Sequence, residues 1–198
     1  MRRFLSLTSV CTLVVFAGFA HAQHIDIAGG GSRTYSSKPT SASEAFQPPE
    51  ESSGTLASVN AQMIFKNRFG IGAEVAIQPK QGLYDGYQRF RPALYDVNAV
   101  FAPRISPKIS ADLMAGVGGQ SLIFYNQFAP CPSTTTCRVS LNSNHLLLHA
   151  GGGVRYYFLG HFFVRPEVHY YFVNHNVEFH SRNLFRLGAS IGYTFGPK

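Results

Sequence analysis

Beyond its first 22 residues the chain has no uninterrupted stretch of about 20 apolar residues, the length a helix needs to cross a membrane. Arg155 and His161 break its most apolar part. Charge is scarce as well: 14% of residues are charged, against 19 Gly, 10 Tyr and 17 Phe, a balance that suits short strands better than helices. The basic excess is dispersed and forms no long run, which makes nucleic acid a poor partner. The glycine clusters at 29–31 and 151–153 carry no phosphate-loop lysine and precede no helix, so close strand packing accounts for them. Of three cysteines, none lies in a CxxC pair. Cys131 and Cys137 bracket a short polar segment, and in an exported, oxidising setting such a pair is expected to be a disulfide; too few ligands lie nearby for a metal site.

An export setting is read at the N-terminus. Arg2 and Arg3 form a positive head, residues 4–19 a mostly apolar stretch, and Ala20-His21-Ala22 a small-residue cleavage pattern, so residues 1–22 are a signal peptide and the mature chain starts at Gln23. Ser9-Val10 before Cys11 does not supply the small residue of a lipidation site, and most of the apolar stretch follows it. Residues 23–198 suffice for one domain.

That domain alternates with a period of two. In the last segment Phe185, Leu187, Ala189, Ile191, Tyr193 and Phe195 point one way, and Arg186, Gly188, Ser190, Gly192 and Thr194 the other. The same pattern recurs over residues 161–173, 146–158, 112–123, 95–101, 71–77 and 57–65. A weaker one around Ile25, Ile27 and Tyr35 supplies an eighth strand, since closed bacterial barrels have even strand numbers. Pro166 predicts a weakened rung or a bulge. Short connections at 66–68, 102–107 and 159–160 alternate with longer ones at 36–54, 79–90, 126–143 and 174–183. Phe65, Phe69, Phe101, Phe158, Phe162 and Phe195 fall at the short-turn ends or near the chain end, as an aromatic girdle at a membrane boundary would. The expectation is an all-β, eight-stranded antiparallel up-and-down transmembrane β-barrel, with both termini and this girdle on the periplasmic side of a bacterial outer membrane.

Charge placement decides which face is inside. Glu74, Asp96, Asp112, Arg155, Arg165, Glu167 and Arg186, with Asp26, share the polar parity, so they are expected to meet in the lumen as an ion-pair network. A lipid-facing Arg or Lys at mid-depth would cost about 2–4 kcal/mol. Arg33 and Arg91 have lipid-facing parity but sit at the outward ends of their strands, where the cost falls to about 0–1 kcal/mol, and are candidate lipopolysaccharide contacts.

The leader, the eight segments, GGGVRYYF, VRPEVHYYF and the final LGASIGYTF together resemble the small outer-membrane β-barrel family related to the OmpA transmembrane domain, over residues 23–195. The resemblance implies insertion by the barrel-assembly machinery through the closing aromatic, matched here by Phe195, although Gly196-Pro197-Lys198 follow it. It brings no wall-tethering domain. Eight strands leave room for side chains and little more, which argues against a general porin. In the fourth loop His175, Glu178, His180 and Ser181 invite comparison with lipid A deacylases, but adjacent His180 and Ser181 point apart on an extended segment. His149 and His169 are expected to be hydrogen-bonded core members. The favoured reading is a non-enzymatic barrel without cofactor or metal that serves envelope integrity or surface interaction, its partners being outer-membrane lipids, lipopolysaccharide and an extracellular partner not specified by the sequence. A lipid A-modifying enzyme and a narrow small-solute channel are the alternatives.

Overall fold

The computed structural model describes residues 24–36, 54–65, 68–84, 88–125, 140–176, 178–179 and 182–196. They form ten strands: β1 (His24–Ser36), β2 (Thr55–Phe65), β3 (Phe69–Ile77), β4 (Gly82–Tyr84), β5 (Gln88–Phe101), β6 (Arg104–Ser106), β7 (Ile109–Tyr125), β8 (Ser140–Leu159), β9 (Phe162–Val173) and β10 (Asn183–Phe195). Eight are the antiparallel staves of a closed barrel. β1 pairs with β2 on one side and with β10 on the other, Ile25 lying opposite Phe195, so the weakly alternating first segment closes the cylinder. β4 and β6 are short additions paired to the loop end of β5 and the turn end of β7. Closure pairs each stave on both sides, the condition for strands to cross lipid.

Alternation places side chains as the sequence predicts. On β2 Leu56, Ser58, Asn60, Gln62 and Ile64 are buried, while Val59 between them is 63% exposed. On β5 Asp96 and Asn98 are buried and Val97 is 61% exposed. The outer surface is therefore an apolar belt, and the lumen holds the polar side chains. Phe69 packs on Phe101 at 5.0 Å, and Tyr193 joins Phe162 and Phe195 at 4.9 and 4.7 Å, which builds the turn-end girdle. At the loop end Tyr170 and Phe185, 5.0 Å apart, contribute to a second aromatic level.

Three details differ from the sequence reading. The expected long connection at 79–90 contains β4 and the start of β5, and β8 begins at Ser140, inside the connection expected at 126–143. Arg91 therefore lies within β5, near its loop end, paired with Ile123. At Pro166 there is no bulge: pairing between β8 and β9 lapses between Gly153–Glu167 and Tyr156–Val164 but resumes in the same register. The missing amide donor removes rungs without displacing the strand.

The lumen is layered. Toward the turns two inward apolar clusters, Ile64, Val100, Ala102 and Met114 and, separately, Ala28, Tyr157 and Phe163, are interspersed with buried His24, Ser110 and Thr194. An ionic layer follows. Above it Leu56, Ala76, Leu94, Leu147, Tyr171, Val173 and Leu184 form a second apolar layer, capped by Phe90, Leu122, Phe124 and Phe179. Sequence alternation did not foretell these plugs, although a signal existed: at Met63-Ile64-Phe65, Phe162-Phe163-Val164 and Leu146-Leu147-Leu148 both faces of the strand are apolar at once.

Candidate functional site

The seven charged residues singled out in the sequence, and Asp26, all lie buried in the lumen. Arg155, on β8, reaches across the lumen. Its guanidinium donates to Asp26 on β1, to Asp112 on β7 from Nε at 2.6 Å, and to the side-chain oxygen of Gln62 on β2 from Nη2 at 2.6 Å. Arg165 on β9 donates to the same Asp112 oxygen at 3.1 Å and to Glu167 Oε2 at 2.9 Å, where the Ser190 hydroxyl also donates at 3.1 Å. Arg186 on β10 donates to Glu74 on β3 and lies 3.8 Å from Glu167 Oε1. Asp96, the cross-strand neighbour of Glu74, contacts Asn98 and His149 instead. The arginines face their apolar neighbours through ring contacts, Arg155 over Phe163 at 5.4 Å and Arg186 over Tyr171 at 5.6 Å.

A planar guanidinium with five donors suits this work, because it can bond several strands at once. Room comes from glycine. A Cβ at Gly116 would stand 2.3 Å from Asn98 Oδ1, and one at Gly151 would stand 2.8 and 2.9 Å from ring nitrogens of His149 and His169. Glu74, Glu167 and His169 could each turn one ligand atom toward a common cation, yet the Arg186 guanidinium already supplies positive charge between the two carboxylates. Asp26, His149 and His169, expected inside from their parity, join the network, and Gln62, an uncharged side chain of the same parity, is a member that charge placement did not pick out.

The loop end carries a second cluster. Phe179 is 1% exposed, with its ring 5.2 Å from Phe90 and 5.4 Å from Tyr84. The Tyr84 hydroxyl donates to the Glu178 carbonyl at 2.9 Å, and the Glu178 carboxylate meets His145 Nε2 at 2.9 Å. Ser143 Oγ lies 3.1 Å from that same nitrogen. A catalytic triad requires the acid on one ring nitrogen and the hydroxyl on the other. Here both converge on Nε2, and the ring points inward, so Ser143, His145 and Glu178 are not arranged as a hydrolase. His180 and Ser181 lie outside the described residues, as do Cys131, Cys137 and the leader. Arg33 is exposed on the outer face; Arg91 donates from Nη2 to the Pro79 carbonyl at 3.1 Å.

No protein-family model and no curated protein matches the sequence. Solved structures do. The N-terminal β-barrel domain of Pseudomonas aeruginosa OprF aligns over 88% of this chain and 98% of its own, at 12% identity and a TM-score of 0.59. Ail, the attachment invasion locus protein of Yersinia pestis, solved with the heparin analogue sucrose octasulfate, aligns over 87% and 98%, at 14% identity and 0.60. The outer membrane protein OprG from Pseudomonas aeruginosa aligns over 89% and 98%, at 14% identity and 0.53. With its apolar belt and filled lumen, this chain has the fold of the small, eight-stranded outer-membrane barrels of the OmpA-like type.

Proposed function

We propose that this chain is a non-enzymatic outer-membrane barrel whose role is exercised at its loop end, in surface interaction or envelope integrity, on a lumen filled by an ion-pair network. The observation that carries this reading is a lumen packed with side chains: buried arginines and carboxylates hydrogen-bond across its width, with an apolar layer on their loop side and apolar clusters among them toward the turns. In a protein of this reading the buried charges act as a brace. Each guanidinium ties strands that are not neighbours in the wall, which resists flattening of the cylinder in a way that wall hydrogen bonds do not.

Arg33, with Arg89 and Arg91 on β5, supplies positive charge to the outer face near the loop end, suited to lipopolysaccharide phosphates. On the same fold Ail holds a heparin analogue, so sulfated glycans are the first soluble surface ligands to try. Phe195, 4.7 Å from Tyr193, is the closing aromatic offered to the assembly machinery.

The direct test is purified protein in planar bilayers. Flat current traces are expected; discrete openings would overturn the sealed-lumen reading in favour of a small-solute channel. A change in lipid A mass on incubation with the protein would overturn the non-enzymatic reading.

A further inference from the structure

Among the described residues the lumen buries five carboxylates, Asp26, Glu74, Asp96, Asp112 and Glu167, against three guanidiniums, Arg155, Arg165 and Arg186. Positive charge is short unless histidines supply it, and His24, His149 and His169 are buried with them. Two of these histidines form the middle of a chain that joins β5 to β9. The Asn98 amide meets Asp96 at one end and His149 Nδ1, at 2.6 Å, at the other. His149 Nε2 lies 2.9 Å from His169 Nδ1, and His169 Nε2 faces Glu167 Oε1 at 3.5 Å.

Three hydrogen bonds and one 3.5 Å contact thus connect two carboxylates, and four hydrogens would be needed to bond the chain from end to end. Ionised carboxylates bring none. Asn98 turns its NH2 to one neighbour and its oxygen to the other, so it brings one; each neutral imidazole also brings one. Three hydrogens serve four contacts, whichever way the amide is turned and whichever tautomers the rings adopt. One contact is left with two acceptors face to face in a buried site. That contact is the one between His169 Nε2 and Glu167 Oε1, which stand 3.5 Å apart and make no hydrogen bond to each other or to any other group.

We infer that the His149–His169 pair is a proton-binding site, holding one proton as a shared imidazolium between Asp96 and Glu167. The rings are its seat because an unperturbed imidazole is about two pH units more basic than a carboxylate. The charges that face the pair come from every side: Asp96 on β5, Glu74 on β3, Glu167 on β9 itself, and the like-charged Arg186 on β10, which is held by Glu74 and Glu167. β7 offers only Gly116 opposite His149. Tyr171 stacks on His149 at 4.6 Å, and the absence of a side chain at Gly151 leaves space for the two rings to meet.

The test is nitrogen NMR on the folded mature protein in detergent micelles, with 15N-labelled histidine rings and the pair assigned by comparison with His149→Gln. At pH 7 one ring of the pair is expected to carry hydrogen on both nitrogens. Asp96→Asn and Glu167→Gln each supply the missing hydrogen through a new amide, so in either variant both rings should become neutral. Glu167→Gln also touches Arg165 and Ser190, so Asp96→Asn decides the matter if the former fails to fold. Two neutral rings in the unaltered protein, or a doubly protonated ring that persists in folded Asp96→Asn, would overturn the site.

Discussion

Phe179, carried by the last loop, sets its ring 5.2 Å from that of Phe90 near the start of β5, on the far side of the barrel mouth in chain order. The pair closes the loop end over the upper apolar layer, and Tyr84 and Phe124 complete the box. Phe179→Ala should empty that box. Removing a buried Phe typically costs about 3–5 kcal/mol, but a loop can open locally, so most of the loss should appear as faster proteolysis of the last loop rather than earlier global melting. Equal proteolysis rates would mean that the ring closes nothing.

Arg165 bridges Asp112 and Glu167. Arg165→Ala removes the cation these two carboxylates share, leaving Asp112 to Arg155 alone and Glu167 to the more distant Arg186, a loss of up to about 3–5 kcal/mol where water is excluded. The detergent-folded barrel should convert to its unfolded gel form at a distinctly lower temperature, and Glu167→Ala should behave alike. The double substitution of Arg186 and Glu74 by Met should cost less than either single one, since no unpaired charge remains. Unchanged gel conversion in the single variants would count against the brace.

Gly151→Ala and Gly29→Ala are the same chemical change on opposite faces. At Gly151 the new methyl would press on the histidine pair at 2.8 and 2.9 Å, while at Gly29 its nearest neighbour is a carbonyl oxygen at 3.7 Å. Only the first should lower the urea midpoint of refolded protein, by an amount typical of overpacking, about 1–3 kcal/mol. Equal midpoints would show that the rings shift freely.

Val97 is 61% exposed on the outer wall. Val97→Arg should cost about 2–4 kcal/mol in lipid, whereas replacing Arg33 or Arg91 by Ser should change stability by about 0–1 kcal/mol and instead reduce co-purifying lipopolysaccharide. Lipid-refolding equilibria measure the first, and phosphate analysis of the purified protein the second. A stable Val97→Arg barrel would contradict the outward orientation.

Much of this fold was legible because a period of two is a local property: Phe185 to Phe195 records its own two faces without reference to any partner. Which charges share the lumen was equally legible, since Glu74, Arg155 and Arg186 betray their side by parity alone. Who pairs with whom was not. Arg155 meets Asp26, separated by well over half the chain, because closure of the ring brings β1 and β8 across from each other, and parity carries no information on height or azimuth. That Asp96, directly beside Glu74, turns to Asn98 and His149 was hidden for the same reason. The apolar plugs escaped notice because Leu147 or Phe163 reads as one more greasy residue in a greasy run. Pro166 was correctly marked as irregular, yet a lost donor and a bulge look identical in one dimension.

The unequal strand lengths bear on reach. β8 begins at Ser140, but its pairing with β9 starts only at Leu147 opposite Val173, while β7 follows it to Tyr125 opposite Ser140. Some 20 Å of sheet, at roughly 3.4 Å per residue, in which β4, β5, β7 and β8 run side by side, therefore stands proud of one side of the mouth, with Leu141 65% exposed near its summit. Such a raised flank makes the rim of the described residues lopsided, so that of these strands the ones on this side meet the medium first.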